Sequence, residues 1–148
     1  MISILQKPNF NIKMGLKKSD WDRIGMDQRK EIVNRTMSGV DLNHSQFKPY
    51  SQQTRDRKEQ LGRSADIVNL MDLAQMHRAL VFKSSNTYVD LYYGDTARAN
   101  VAFEHQYGLG RMPKREHFGF SNTDAKKWTE TVIKLLTLAT KRSFQNAK

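Results

Sequence analysis

At 148 residues and 17.2 kDa, the chain can form one domain with a real core and is too short for two cores of ordinary size. It is 38% apolar and 27% charged, and 25 Lys and Arg against 15 Asp and Glu give a formal net charge of +10, which attracts nucleic acid, anionic membrane or acidic protein without choosing among them. The absence of cysteine excludes disulfides, thiol catalysis and cysteine-held metal, and with no 18-residue apolar run and no apolar h-region in MISILQKPNF the sequence predicts neither a membrane span nor a secretion signal.

In chain order, residues 1–18 show no sustained period and read as an arm or short strand. Ser19 and Asp22 resemble a capping box, and Trp21, Ile24, Gln28 and Ile32 recur at helical spacing with Val33 and Met37 beside them, predicting a helix over about 20–38 that Gly39 stops. Residues 41–63 are polar and charged, with Pro49 and Gly62 as breakers, and predict a long extended loop with room for a short helix at 52–60. Loops of that length inside compact domains are usually functional or disordered. Too little apolar surface is visible there to offset the entropy of ordering it, so the loop is expected to be mobile in a free subunit and ordered on assembly, with Phe47 and Tyr50 dispensable for the fold.

Further along, Asp66 to Leu70 suits a short strand. Asp72 and Gln75 signal a helix carrying Met76 and Leu80, and LVFK and TYVDLYYG form a β-hairpin around Ser84, Ser85 and Asn86. Asp95 can cap a helix to about Gln106, with Ala97, Val101, Ala102 and His105 inward and Gly108 as its end. GLGRMPKREHFGF reads as a turn and a short basic strand. Ser121 and Asp124 pair as a capping box for a long C-terminal helix, whose stripe of Trp128, Val132, Leu135, Leu136 and Ala139 predicts a buried Trp128. A basic tail covers 141–148. Without βαβ alternation, this order predicts a single α+β domain, its small antiparallel sheet packed by the helices.

Chemical constellations are sparse. His44, His77, His105 and His117 never fall at metal-ligand spacing, Glu104 and His105 are helix neighbours that point apart, and GLGRMPK lacks the Gly-Lys-Ser/Thr of a phosphate loop. No catalytic, cofactor or metal residue is assigned. Tyr88, Tyr92 and Tyr93 could stack bases, though aromatics are ordinary strand formers. Basic residues cluster at Lys48, Arg55, Arg57, Lys58 and Arg63 and again at Arg111, Lys114 and Arg115. Such runs are ordinarily solvated surface; Phe47, Pro49 and Tyr50 amid the first give a protein contact equal standing.

The order of these elements resembles the tailed-phage virion-morphogenesis or tail-completion family. Lys48, Pro49, Tyr50 and Ser51, with Lys58 and Gly62, match its first motif. Val68, Leu70, Met76 and Leu80 match the second, and Glu104, His105, Gly108, Pro113, Arg115, Phe118, Gly119, Ser121 and Asp124 the last. The likeness spans roughly residues 19–140. It departs from the family at Lys114, Glu116, His117 and Phe120. The resemblance implies an α+β structural subunit without cofactor or catalysis, assembled in the host cytoplasm into a virion. There it would form a homo-oligomeric ring, expected to be a hexamer, between neck or connector and tail proteins, with genomic DNA passing through the channel and no membrane partner. Phe47, Lys48, Pro49, Tyr50, Arg55, Arg57, Lys58, Arg63, Arg111 and Arg115 are then the expected subunit or partner interface. The rival reading is a small basic nucleic-acid-binding module, its Lys and Arg against phosphates and its hairpin tyrosines against bases.

Overall fold

The computed structural model describes residues 15–70 and 75–145, with side chains in the last helix described to 141. The N-terminal arm before residue 15, the Asp72 helix start and the end of the basic tail lie outside the described residues. Helix α1 spans Lys18–Met37. The cap lies two residues earlier than Ser19 suggests: Asp20 reaches back to accept from the Lys17 backbone N–H at 3.0 Å, leaving Asp22 to meet Lys18 and the Ser84 hydroxyl. Its buried stripe runs through Ile24, Gly25 and Ile32 and then Arg35 and Thr36, while Met37 is exposed.

Strands β1, Leu80–Ser84, and β2, Val89–Tyr93, form an antiparallel hairpin in register from Leu80 opposite Tyr93 to Ser84 opposite Val89. Strand alternation sends Leu80, Phe82, Val89, Leu91 and Tyr93 to one face, where they pack with Ile32, Val33 and Phe118. Val81, Lys83, Asp90 and Tyr92 take the other face. A hairpin alone is marginal in water, and α1 supports this one at close range: a Cβ on Gly25 would come within 2.5 Å of the Phe82 ring. Arg29 also donates from Nε to the Leu80 carbonyl at 2.5 Å.

Between α1 and the hairpin the chain is more ordered than its composition suggests. Gly39, at φ 77°, brings the backbone against Ile67 and Val68, where a side chain would collide. Asp41 then accepts from the N–H groups of Asn43 and Ser45 at 2.8 and 2.9 Å, an Asx turn that returns the chain so that Phe47 N–H donates to the Gly39 carbonyl. Phe47 thereby enters a core with Val68, Leu70, Met76 and Ala102, which corrects the expectation that it waits for a partner. Ser51 caps α2, Gln52–Gln60. The strand expected over 66–70 is absent: Val68 and Leu70 are buried from irregular backbone. Helix α3 is Gln75–Ala79.

Helix α4, Thr96–Tyr107, starts on the Asp95 carboxylate, which accepts from Arg98 N–H at 2.8 Å, and ends on left-handed Gly108. Ala102 and Gln106 are buried on it, whereas Ala97 is exposed. No strand forms over 111–120. Helix α5, Asn122–Gln145, opens with the expected capping box, Ser121 N–H to Asp124 at 2.8 Å and Asp124 N–H to Ser121 at 3.0 Å. Its stripe packs at Leu135, Val132, Leu136 and Ala139 on Leu16, Trp21 and Ile24. Trp128 is only half-buried, stacked edge-on against exposed Phe120 at 4.0 Å between centroids. Helices around one two-stranded antiparallel sheet, closed by a long C-terminal helix, make a small α+β fold.

Candidate functional site

The residues expected at an interface divide into two sets. Four lie inside the subunit or against its core. Phe47 is buried, Lys58 and Arg115 are each 3% exposed, and half-buried Tyr50 lies between the two cations, its ring 4.9 Å from Lys58 Nζ and 5.4 Å from Arg115 Cζ. The aliphatic stems and planar heads of Lys and Arg cover apolar and aromatic surface, so charge that reads as solvated in the sequence is used here for packing. Lys48, Pro49, Arg55, Arg57 and Arg111 are exposed and Arg63 is half-buried.

Arg115 ties three parts of the chain together. Its guanidinium donates to the Lys48 carbonyl at 3.1 and 3.3 Å and to the Pro49 carbonyl at 3.4 Å. Its Nη1 also lies 3.4 Å from His105 Nδ1, and its own N–H donates to the His105 carbonyl at 2.7 Å. Since guanidinium can only donate, His105 Nδ1 must accept and the ring is neutral. Burial pushes His105 down to about 4, and the charge of Arg115 adds to it.

Two residues on, His117 is fully buried. Its Nδ1 faces the Arg115 carbonyl at 3.0 Å and its Nε2 the Tyr93 hydroxyl at 3.1 Å. The carbonyl accepts, so Nδ1 carries the proton and Tyr93 donates to Nε2. Burial drives His117 to about 4 against the pull of that carbonyl, with His105, His77 and Arg35 adding to it, and burial likewise raises the Tyr93 hydroxyl. Gln106 replaces a strand partner: its side chain donates to the Phe118 carbonyl at 3.0 Å and accepts from Phe118 N–H at 2.9 Å. A segment without a ladder thus keeps its backbone satisfied, which is why the expected basic strand is missing.

Arg35, which the sequence reading passed over, completes the arrangement. It pairs with Asp124 at 2.5 Å, both side chains almost wholly buried, and donates to the carbonyls of His117 and Gly119, each at 3.0 Å. One pair therefore joins α1, the 117–119 turn and the cap of α5. Burial opposes ionisation of Asp124, but the Ser121 hydrogen bonds and Arg35 outweigh it and hold the carboxyl below its ordinary range. A signal existed: Arg35 continues the apolar stripe of Ile24, Gln28 and Ile32, and an arginine at such a position is a candidate for a buried pair.

Chemically, these groups are neutral histidines, one matched ion pair and a guanidinium held by carbonyls, with Arg35 Nε and Asp124 Oδ1 left without hydrogen-bond partners. The groove with a volume of about 420 Å³ lies elsewhere, on α5, between Ile133, Leu136, Thr137, Thr140 and Lys141. Among the described residues no three His, Asp or Glu side chains converge as metal ligands, and no helix is long and apolar enough to cross a membrane. No family model, curated protein or solved structure matches the chain, so its likeness to tail-completion subunits rests on the order of its sequence motifs.

Proposed function

We propose that the chain is a non-catalytic structural protein of a tailed-phage virion. In this reading it is a tail-completion or head-tail joining subunit that works as a ring, expected to be a hexamer, at the neck or tail top. The observation that supports this reading is that residues of all three motifs are held inside the fold, on one another and on Phe47 and Arg35, which lie outside the motifs. Lys48 and Pro49 from the first motif are held by Arg115 from the last, Val68, Leu70 and Met76 from the second surround Phe47, and Gly119 and Asp124 meet on Arg35. Residues so placed hold a shape, as a ring component requires, and leave exposed basic and apolar groups for contacts. In this reading the +10 charge serves protein docking or placement at the channel instead of sequence-selective DNA binding. Negative-stain electron microscopy of the purified chain should then show annular particles with a central opening, and duplex DNA should bind weakly and without sequence preference, with the steep salt dependence of phosphate contacts. Submicromolar, sequence-selective binding by a subunit that forms no annulus would favour the nucleic-acid-binding module instead.

A further inference from the structure

The turn that ends α4 carries an unusual surface. Tyr107, Leu109 and Met112 are 49%, 44% and 42% exposed in six consecutive residues, with exposed Arg111 among them. Leu109 follows the left-handed Gly108, a position whose apolar side chain ordinarily folds back on its own helix. The turn is nevertheless firmly built. Gly108 and Leu109 N–H both donate to the Glu104 carbonyl, Met112 N–H donates to Leu109, and Gly108 packs so tightly on Lys114 that a Cβ would lie 2.8 Å from its nitrogen. A rigid protrusion of Tyr, Leu, Met and Arg has the composition of an interface anchor.

At the other end of α4, the outer face of the hairpin presents exposed aromatic surface beside one acidic and one basic residue. Tyr92 is 46% exposed on it and Tyr88 44% exposed at its tip, with half-buried Val81 opposite Tyr92. Asp90 lies on the same face, where the register sets it across from Lys83, and Asp95 stands two residues beyond the strand. Arg111 and Asp90 have no ion-pair partner among the described residues. Residues 64–110 hold three basic and five acidic side chains, and 111–148 nine basic and three acidic. Twelve residues of α4 hold the turn and the hairpin about 18 Å apart along the helix axis, so the turn does not cover its own hairpin.

We propose that copies of this chain join head to tail, the Tyr107–Met112 turn of one seated on the outer hairpin face of the next. In this contact Leu109 and Met112 lie against Val81 and Tyr92, and Arg111 faces Asp90. Two like turns would set Arg111 against Arg111, so the contact is heterologous, and one donor and one acceptor per copy close into a ring where the rotation between copies permits. The inference rests on the ring reading above and assigns its interface to these surfaces in place of the 47–50 segment, where Phe47 is buried and Tyr50 half-buried within the chain.

Native mass spectrometry of the full chain tests it with Arg111→Asp, Asp90→Arg and the two combined. Arg111 is exposed, and Asp90, though half-buried, lies on the outer strand face away from the core, so circular dichroism and melting should stay near wild type. Each single reversal should weaken self-association about tenfold or more, and the combined reversal should restore most of it, as expected when facing charges couple by 1.4 kcal/mol or more. Oligomers untouched by both single reversals, or a combined variant no better than either, would overturn this contact while leaving self-assembly standing. A wild-type chain that stays monomeric would overturn the ring reading and the contact with it.

Discussion

His105 and His117 are neutral groups beside Arg115 and Arg35, and each titrates near 4 in the fold against 6.5 when solvated. Between those values the unfolded chain binds protons that the folded chain refuses, so stability falls as pH drops from 6.5 to 4 and is insensitive to both above that window. The loss should reach on the order of 3 kcal/mol per histidine. Thermal melts across the window should show the fall, and His105→Gln with His117→Gln should remove most of it, the share of His77, which burial also pushes down, remaining; a wild-type melting temperature constant from 6.5 to 4 would contradict the assignment. Arg35 carries a related prediction. Its Nε and Asp124 Oδ1 are buried without hydrogen-bond partners, so the pair is held by one strong contact. Arg35→Met should cost about 3–5 kcal/mol in urea unfolding by leaving a buried carboxylate unpaired, and adding Asp124→Asn, which keeps the cap, should recover much of it. Lys58 and Arg115 were illegible as core residues because nothing local in a sequence tells a solvated cation from a packed one; Arg35 was marked only by its place on the α1 stripe, its partner Asp124 lying 89 residues away.

Elements with their own punctuation were readable. Asp95 and Gly108 bound α4, Ser121 and Asp124 open α5, and alternation marks β2, each through bonds that close within a few residues. The failures are elements whose backbone is satisfied from afar. Phe118 pairs with the Gln106 side chain and Lys48 with the Arg115 guanidinium, so 111–120 carries strand-like composition without a ladder. Trp128 failed differently: the apolar stripe of α5 is real and packs from Val132 to Ala139 on Leu16, Trp21 and Ile24, but its first residue, Trp128, meets Phe120 instead. The 41–63 segment looked too polar to fold because its one large anchor, Phe47, is isolated in sequence. Phe47→Ala should therefore destabilise the free subunit by about 3–5 kcal/mol, seen as an earlier denaturant midpoint. An unchanged midpoint would return that residue to the role of an external anchor.

At the scale of the molecule, one two-stranded sheet gives the helices little to pack on, and the satellite cores are joined by polar clamps at Arg35 and Arg115. The chain presents exposed tyrosines on the hairpin, an apolar turn after α4 and a groove on α5. The α+β class was legible from element order; the division of the motifs into internal clamps and outward contacts was not, because it depends on which segments meet. Native mass spectrometry of the wild-type chain tests the central claim most directly. The account predicts a closed species of one fixed copy number, six by the family likeness, with little of the intermediate sizes. A chain that remains monomeric as its concentration is raised, and that binds duplex DNA selectively in that form, would contradict it.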